Sequence, residues 1–453
     1  MVMQDMNIFR ACVLTPLKML CGKNAGKILK VLTLWSLGLF VTCGNCIVLS
    51  ENVTKTYATE ESSATDESSV AEEASTTEES NMDEESSATG ESDKLQLESP
   101  SCILMEAETG TVLYEKDADQ VMAPASVTKI MTLLLIFEAM DKGQFSLDDM
   151  VTVSSYAASM GGSQCFFEQG ETQSVEDMIK CIIIASGNDA AVAMGEFVSG
   201  SESAFVDKMN EKAKNLGMEN TTFKNACGLD VEGHVTTSRD IALMTRELIT
   251  KYPEIFDYSS IWMDSIVHKT ARGESEFGLV NTNKFLKMYT GATGLKTGYT
   301  STAKYCMSAT ANRDGLSMIA VIMGASTKDI RNQEACTLLD YGYGKCKKYV
   351  DLQVLTESEI KINKGEEKYV TIETDDSFSG ILLEGEEAVY VKKKLELEDD
   401  ITAPVKKGDV LGKMNYYMGD RLIGSVDIRA AEAVEKMTLS YALKSMLRGY
   451  ICN

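Results

Sequence analysis

The sequence predicts an α+β fold, with helices packed on an antiparallel sheet, followed by a small all-β domain. Three observations carry this. A strand pair opens the folded part, and a long run of helical patterns follows it. Three strand-like segments then come in succession and are closed by a helix. Beyond residue 347 helical periodicity gives way to short alternating stretches punctuated by turn residues.

The first element is a leader. Arg10, Lys18, Lys23, Lys27 and Lys30 precede an apolar run from Val31 to Leu49. Basic residues ahead of an apolar core mark residues 1–50 as a secretory signal peptide or an uncleaved signal anchor, and the run is near spanning length. Phe40-Val41-Thr42-Cys43 matches a lipoprotein cleavage site poorly. Residues 51–98 are rich in Glu, Ser, Thr and Ala. Fifteen acids face only Lys55 and Lys94 between Glu51 and Pro100. Such a segment buries too little surface to offset its ordering entropy, so it reads as a disordered, self-repelling spacer.

Residues 99–346 form the predicted catalytic domain. Ser101–Met105 and Thr109–Tyr114 alternate as a hairpin. A helix carrying Ser126 and the apolar run Ile130–Phe137 follows. Met178–Val198 reads as buried helix interrupted by Ser186-Gly187-Asn188. Ser203–Leu216 and Ser238–Lys251 have amphipathic spacing, the second with Ser238 as N-cap and Asp240 in its first turn. Leu295–Thr300, Tyr305–Asn312 and Leu316–Gly324 read as strands, and Cys336–Tyr343 as the closing helix. Residues 347–430 form the small β domain, with short strands at Tyr369–Ile372, Gly380–Leu383 and Ala388–Val391. A turn at Ala403–Asp409 precedes Val410–Gly412. Ala430–Leu447 has helical spacing, with Val434, Met437 and Tyr441 on one stripe. Residues 431–453 therefore suggest an amphipathic helix that either rests on a membrane surface or docks on the protein itself.

Composition narrows the function. The chain has 453 residues and a net charge of -24, about half of it in the spacer. No basic patch appears, so nucleic acid is not an expected partner. The 12 cysteines are scattered, and the one Cys-x-x-Cys pair, Cys43 to Cys46, lies in the leader. Cys165, Cys181, Cys227 and Cys306 read as buried free thiols. The two histidines, His234 and His268, show no acid-partner pattern, which argues against a Ser-His-Asp triad. No metal-ligand spacing is present, so no metal or cofactor is expected.

Three short motifs carry chemistry. Ser126-Val127-Thr128-Lys129 sets a hydroxyl and an amine one helical turn apart, on one face. Pro124 and Ala125 suit the start of that helix. A serine needs a base, and lysine serves only when its pKa is lowered by burial or a neighbouring cation. Lys296 is a candidate for that cation. Ser186 can relay a proton to the leaving group. Asn188 can accept from Lys129 and donate to a substrate amide. Lys296 and Thr297 suit an anionic substrate end, and Gly298 leaves room along the strand. Backbone N–H groups of Ser126 and of Tyr299 would serve as oxyanion donors.

These motifs, in this order, resemble those of penicillin-binding proteins and class A β-lactamases. Ala123–Thr132, Ala185–Ala191, Phe223–Leu229 and Gly294–Thr300 are similar to the D-alanyl-D-alanine carboxypeptidases, the low-molecular-mass penicillin-binding proteins. The resemblance implies a β-lactamase/transpeptidase-like catalytic domain over about Ser99 to Gly344. It implies an acyl-enzyme on Ser126 after removal of the terminal D-alanine from peptidoglycan stem peptides. Lys129 would be the base, with Ser186 and Asn188 shaping the proton path. Lys296, Thr297, Gly298 and Arg331 would meet the substrate, its carboxylate above all. β-Lactams would be covalent inhibitors, and the enzyme would work outside the cytoplasm, at the outer face of the membrane. The alternatives are a β-lactamase, a transpeptidase or endopeptidase on the same scaffold, or a non-catalytic penicillin-binding wall protein. Glu211-x-x-x-Asn215 matches a β-lactamase pattern in text, but reads as surface helix.

Overall fold

Strands buried on both faces build most of the central sheet. Strands β1 (Ser101–Glu106) and β2 (Val112–Lys116) form the expected antiparallel hairpin. The Glu106 carboxylate ties its turn by accepting from the N–H of Glu108 and Thr109, at 3.0 and 2.7 Å. The computed structural model describes residues 95–355, 359–374, 377–398 and 400–451, all within the unit Glu84–Asn453. The leader and nearly all of the spacer lie outside the described residues. Leu97, within the expected spacer, is buried, and its carbonyl accepts from Lys116 Nζ at 2.6 Å.

Helical elements fill the middle of the catalytic region: α1 (Lys129–Asp141), the small pair β3 (Met150–Thr152) and β4 (Thr172–Ser174), then α2 (Val175–Ile183), α3 (Asn188–Ser199), α4 (Glu202–Asn215) and α5 (Ser238–Lys251). Helix α1 is buried nearly all round, as a helix apolar on every face must be. Ser174 caps α2 by accepting from the N–H of Asp177, and Glu176 and Asp177 complement the positive end. The cap of α5 is Thr237, not Ser238. The Ser238 hydroxyl is taken instead by tertiary partners, donating to the Ala118 carbonyl and accepting from Ser101.

A hairpin of β5 (Met263–Thr270) and β6 (Gly273–Val280) follows. The chain then returns to the sheet through β7 (Ala292–Thr300), β8 (Lys304–Arg313) and β9 (Leu316–Ala325), and α6 (Lys328–Lys345) closes the unit. Helix α6 starts eight residues before the expected Cys336, capped by Thr327. The sheet order is β2-β1-β9-β8-β7, antiparallel throughout, with β7 at one edge. Ile103, Met105, Ile319 and Val321 face the helical core. Cys102, Leu104, Met318 and Ala320 face a second core completed by Leu338 and Leu339 of α6. The period of two thus sends successive residues into two cores.

Beyond Lys345 the chain is β-rich: β10 (Cys346–Asp351), β11 (Glu359–Lys361), β12 (Tyr369–Glu373), β13 (Phe378–Leu383), β14 (Val391–Leu397), β15 (Val410–Met418) and β16 (Arg421–Ala430). Strands β11-β12-β16-β15-β14 form a sheet, and β10 pairs with β13. Phe378 stacks on Tyr416 in its core, centroids 3.8 Å apart. Two expectations fail here. Ala388–Tyr390 is a 3-10 turn with Val389 and Tyr390 exposed, so the strand starts only at Val391. The last helix, α7 (Leu439–Ile451), starts well after Ala430. Val434 is extended and buried, exchanging both backbone hydrogen bonds with Val405. Among the described residues no helix is long and apolar enough to cross a membrane.

Candidate active site

Ser126 lies in a 3-10 turn, Ala125–Thr128, and Lys129 opens α1 directly after it. Three residues per turn bring i and i+3 almost into line, and Lys129 Nζ lies 3.1 Å from Ser126 Oγ. The turn is held from both sides. Ala125 adopts φ +49°, and its carbonyl packs against Gly228, where a Cβ would stand 1.9 Å from that oxygen. On the other side a Cβ on Gly298 would lie 2.9 Å from the Ser126 nitrogen. The edge strand β7 therefore rests on the backbone of Ser126, and the peptide N–H of Tyr299 follows Gly298.

Lys129 is fully buried and spends its hydrogen bonds on Ser126 Oγ, on Asn188 Oδ1 at 2.6 Å and on the Cys227 carbonyl at 2.7 Å. None of these partners is a carboxylate. Burial lowers its pKa to about 8, against smaller opposing effects led by Cys227 and Asp189. Lys296 Nζ donates to Ser186 Oγ at 2.9 Å and to the Thr297 carbonyl at 3.0 Å. Its pKa falls well below the usual amine value, first through burial, then through the charges of Lys129 and Arg331. Of the two causes open to Lys129, burial or a neighbouring cation such as Lys296, the first prevails. The repulsion weighs on Lys296 instead.

Ser186 lies in the break between α2 and α3, and Asn188 opens α3 directly after it. Ser186 sits at φ +62°, so the break is a true turn. Asn188 accepts from Lys129, but its Nδ2 already donates to the Gly161 carbonyl at 2.6 Å, and its backbone N–H to the Ser163 carbonyl. The segment Gly161–Phe167 is thereby fastened across Asn188. The buried Asp189 carboxylate secures it further by accepting from the N–H groups of Cys165 and Phe167, at 2.9 and 3.4 Å.

Thr297 is buried beside Lys296, with its hydroxyl 3.3 Å from that of Thr282. Arg331 is buried on α6, donating to Asn332 Oδ1 at 2.9 and 3.1 Å, with its guanidinium 6.0 Å from the Tyr305 ring centre. Burial lowers its pKa to about 10. Its charge in turn contributes to lowering the pKa of Lys296. The Tyr299 ring is exposed and lies over Tyr305, centroids 4.5 Å apart.

Other residues of the site have no role assigned from the sequence, although Phe223–Leu229 is one of the stretches that carry the resemblance. The Cys227 carbonyl anchors Lys129, and Asn225 shapes that loop. Asn225 Oδ1 accepts from the N–H of Cys227, Gly228 and Leu229, and its Nδ2 donates to the Leu229 carbonyl. Asn followed closely by Gly is turn chemistry, and it adds to the resemblance of Phe223–Leu229 as a signal available beforehand. His234 supports the turn from behind. Its Nδ1 accepts from the Lys224 N–H at 2.9 Å, so Nε2 carries the proton and donates to Thr128 Oγ1 at 2.8 Å. Burial pushes its pKa down to about 4, keeping it neutral. His268 does have an acid partner, Glu171 at 2.7 Å, which its sequence context did not suggest. Glu211 lies exposed on α4. Among the described residues no group of three His, Cys, Asp or Glu side chains is placed to hold a metal. The seven described cysteines are free thiols.

Residues 86–327 match the family model described as D-alanyl-D-alanine carboxypeptidase. Residues 348–436 match the C-terminal domain model of penicillin-binding protein 5. The chain is 43% identical over 346 residues to the D-alanyl-D-alanine carboxypeptidase DacF of Bacillus subtilis, covering 76% of this chain and 88% of that one. It is 34% identical to the D-alanyl-D-alanine carboxypeptidase DacC of Escherichia coli, covering 75% and 86%. Among solved structures, penicillin-binding protein 5 from Haemophilus influenzae superposes with a TM-score of 0.64 at 29% identity, over 75% of this chain and 98% of that one.

Proposed function

The chain belongs to the D-alanyl-D-alanine carboxypeptidase family, and from that premise we propose how its residues carry the reaction. It is a serine-type D-alanyl-D-alanine carboxypeptidase with a helix-and-sheet catalytic region and a β-rich C-terminal domain. One observation supports the reading most: a buried amine with no carboxylate partner, 3.1 Å from the Ser126 hydroxyl.

Neutral Lys129 takes the Ser126 proton as Oγ attacks the carbonyl carbon of the penultimate D-alanine. The N–H groups of Ser126 and Tyr299 stabilise the oxyanion. The proton passes by way of Ser186 to the nitrogen of the terminal D-alanine as the C–N bond breaks. Asn188 holds Lys129 throughout. Lys296, Thr297 and Arg331 hold the substrate carboxylate, Lys296 gaining stabilisation for its charge from that anion. Water then attacks the Ser126 ester and gives a proton to Lys129, which passes it to Ser126 Oγ as the ester C–O bond breaks and the shortened stem leaves. β-Lactams acylate the same oxygen.

The substrate is a peptidoglycan stem peptide ending in D-Ala-D-Ala, met outside the cytoplasm after export directed by residues 1–50. Residues 99–346 are the catalytic domain and 347–430 the β domain. The exposed Leu439, Leu443, Met446 and Leu447 of α7 suit a helix resting on the membrane surface. The test is covalent capture by fluorescent penicillin, paired with D-alanine release from a D-Ala-D-Ala pentapeptide against turnover of the β-lactam. Capture and release in the parent, both lost in Ser126→Ala with the fold intact, is the expected outcome. Either activity surviving in that variant refutes the role of Ser126. Rapid β-lactam turnover without D-alanine release would instead identify a β-lactamase.

A further inference from the structure

We propose that Phe166 and Phe277 form an apolar ledge beside the reacting centre that recognises the side chain preceding the D-Ala-D-Ala dipeptide, with Phe166 determining specificity. The inference rests on the reaction assigned above.

Phe166 combines two unusual properties. It is 66% exposed, and it adopts φ +63°. A bulky residue in the left-handed region is an outlier, and such residues gather at functional sites. The turn explains the conformation. Residues 165 and 167 both send their N–H groups to the Asp189 carboxylate and their side chains inward, leaving both buried. A left-handed residue between them makes that convergence possible. Glycine adopts this conformation without steric cost, so the turn accounts for the φ but not for the ring.

The ring is held in place. It meets Phe277 of β6 edge to face, centroids 6.0 Å apart. Phe277 in turn packs on His268 at 5.4 Å, and His268 binds Glu171 at the far end of the same loop. The ledge therefore joins two elements that also border the pocket. The loop of Phe166 supplies the Gly161 and Ser163 carbonyls to Asn188. Strand β6 leads to Thr282, whose N–H donates to the Ile184 carbonyl and whose hydroxyl meets Thr297. The loop of Phe166 and the segment that follows β6 thus both border the turn that carries Ser186.

Charge and hydrogen bonds in the pocket are committed to the dipeptide and its carboxylate. The portion of substrate on the amino side of the dipeptide meets a surface of another kind, and an exposed aromatic edge suits methylene or aryl groups. The ledge would read the same region of a β-lactam, its acyl side chain.

Phe166→Gly removes the ring while keeping the turn. Its acylation rate should be compared with the parent for benzylpenicillin, which has an aryl side chain, and for 6-aminopenicillanic acid, which has none. The expected result is a loss of about three- to tenfold for benzylpenicillin, with 6-aminopenicillanic acid within about twofold. Phe166→Leu should recover most of the loss. Equal losses for both compounds, or no loss for either, would overturn the inference. A parent enzyme that captures neither compound would contradict the Ser126 assignment itself.

Discussion

Lys129 and Lys296 are buried amines, the charge of the first lowers the pKa of the second, and neither has a carboxylate as a hydrogen-bond partner. A pocket built this way disfavours carrying both protons at once. Lys129 is deprotonated above about pH 8, and only that form accepts the Ser126 proton. The acylation rate with benzylpenicillin should therefore climb about tenfold per pH unit below pH 8 and level off above it. A profile that is flat from pH 6 to 9 would remove Lys129 as the base.

Asn225 is a positioning residue, acting on Lys129 through the Cys227 carbonyl. Asn225→Ala strands three backbone N–H groups, each costing about 1–3 kcal/mol where it stays buried and unpaired. A lower melting temperature and slower acylation are both expected. Asn225→Asp keeps the acceptor for those three donors and loses only the bond to Leu229, so it should recover most of the stability. If aspartate is as damaging as alanine, the acceptor does not matter as described.

Gly228 tolerates no side chain, because a Cβ would overlap the Ala125 carbonyl just ahead of the nucleophile. Its φ of +89° adds strain for any other residue, about 1–3 kcal/mol. Gly228→Ala should cut penicillin capture by a factor on the order of a hundred, since small displacements of reacting groups are that costly. Capture at the parent rate would show that the loop yields without moving Ser126.

His234 links stability to acid. Its folded pKa is lowered from 6.5 to about 4, so between these values the unfolded chain binds more protons than the folded one. Stability must then fall as pH drops from about 6.5 to 4, by up to about 3 kcal/mol from this residue. His234→Phe abolishes that dependence, although it costs stability at pH 7 by stranding Thr128 Oγ1 and the Lys224 N–H. Denaturant midpoints of the two proteins across this range should converge on acidification. Parallel curves would mean that His234 titrates normally.

Side-chain chemistry was legible in the sequence where it follows from short spacing. Ser126 and Lys129 lie three apart, and Ser186 and Asn188 flank a turn, so local geometry predicts their convergence. The Cys227 carbonyl was not legible, because a backbone acceptor leaves no mark on residue type. The cap of α5 shows a related limit. Thr237 and Ser238 both suit the role, and distant partners at Ser101 and Ala118 decided between them. Val434 has the spacing of a helical stripe, but pairing with Val405 placed it in a β core. The sequence leaves burial and a neighbouring cation both open for Lys129; burial decides, and it is a property of the whole fold, whereas a nearby lysine can be read from a motif.

The hydrogen bonds that assemble the pocket join residues far apart in the chain. Lys129 meets Asn188 across 59 positions and Cys227 across 98, and Lys296 reaches Ser186 across 110. No short fragment contains these partners, and contacts of such separation form late because their loops must close first. Penicillin capture is then a census of finished molecules. In a refolding mixture it counts only chains whose long-range order is complete, however much helix and strand the others have already formed.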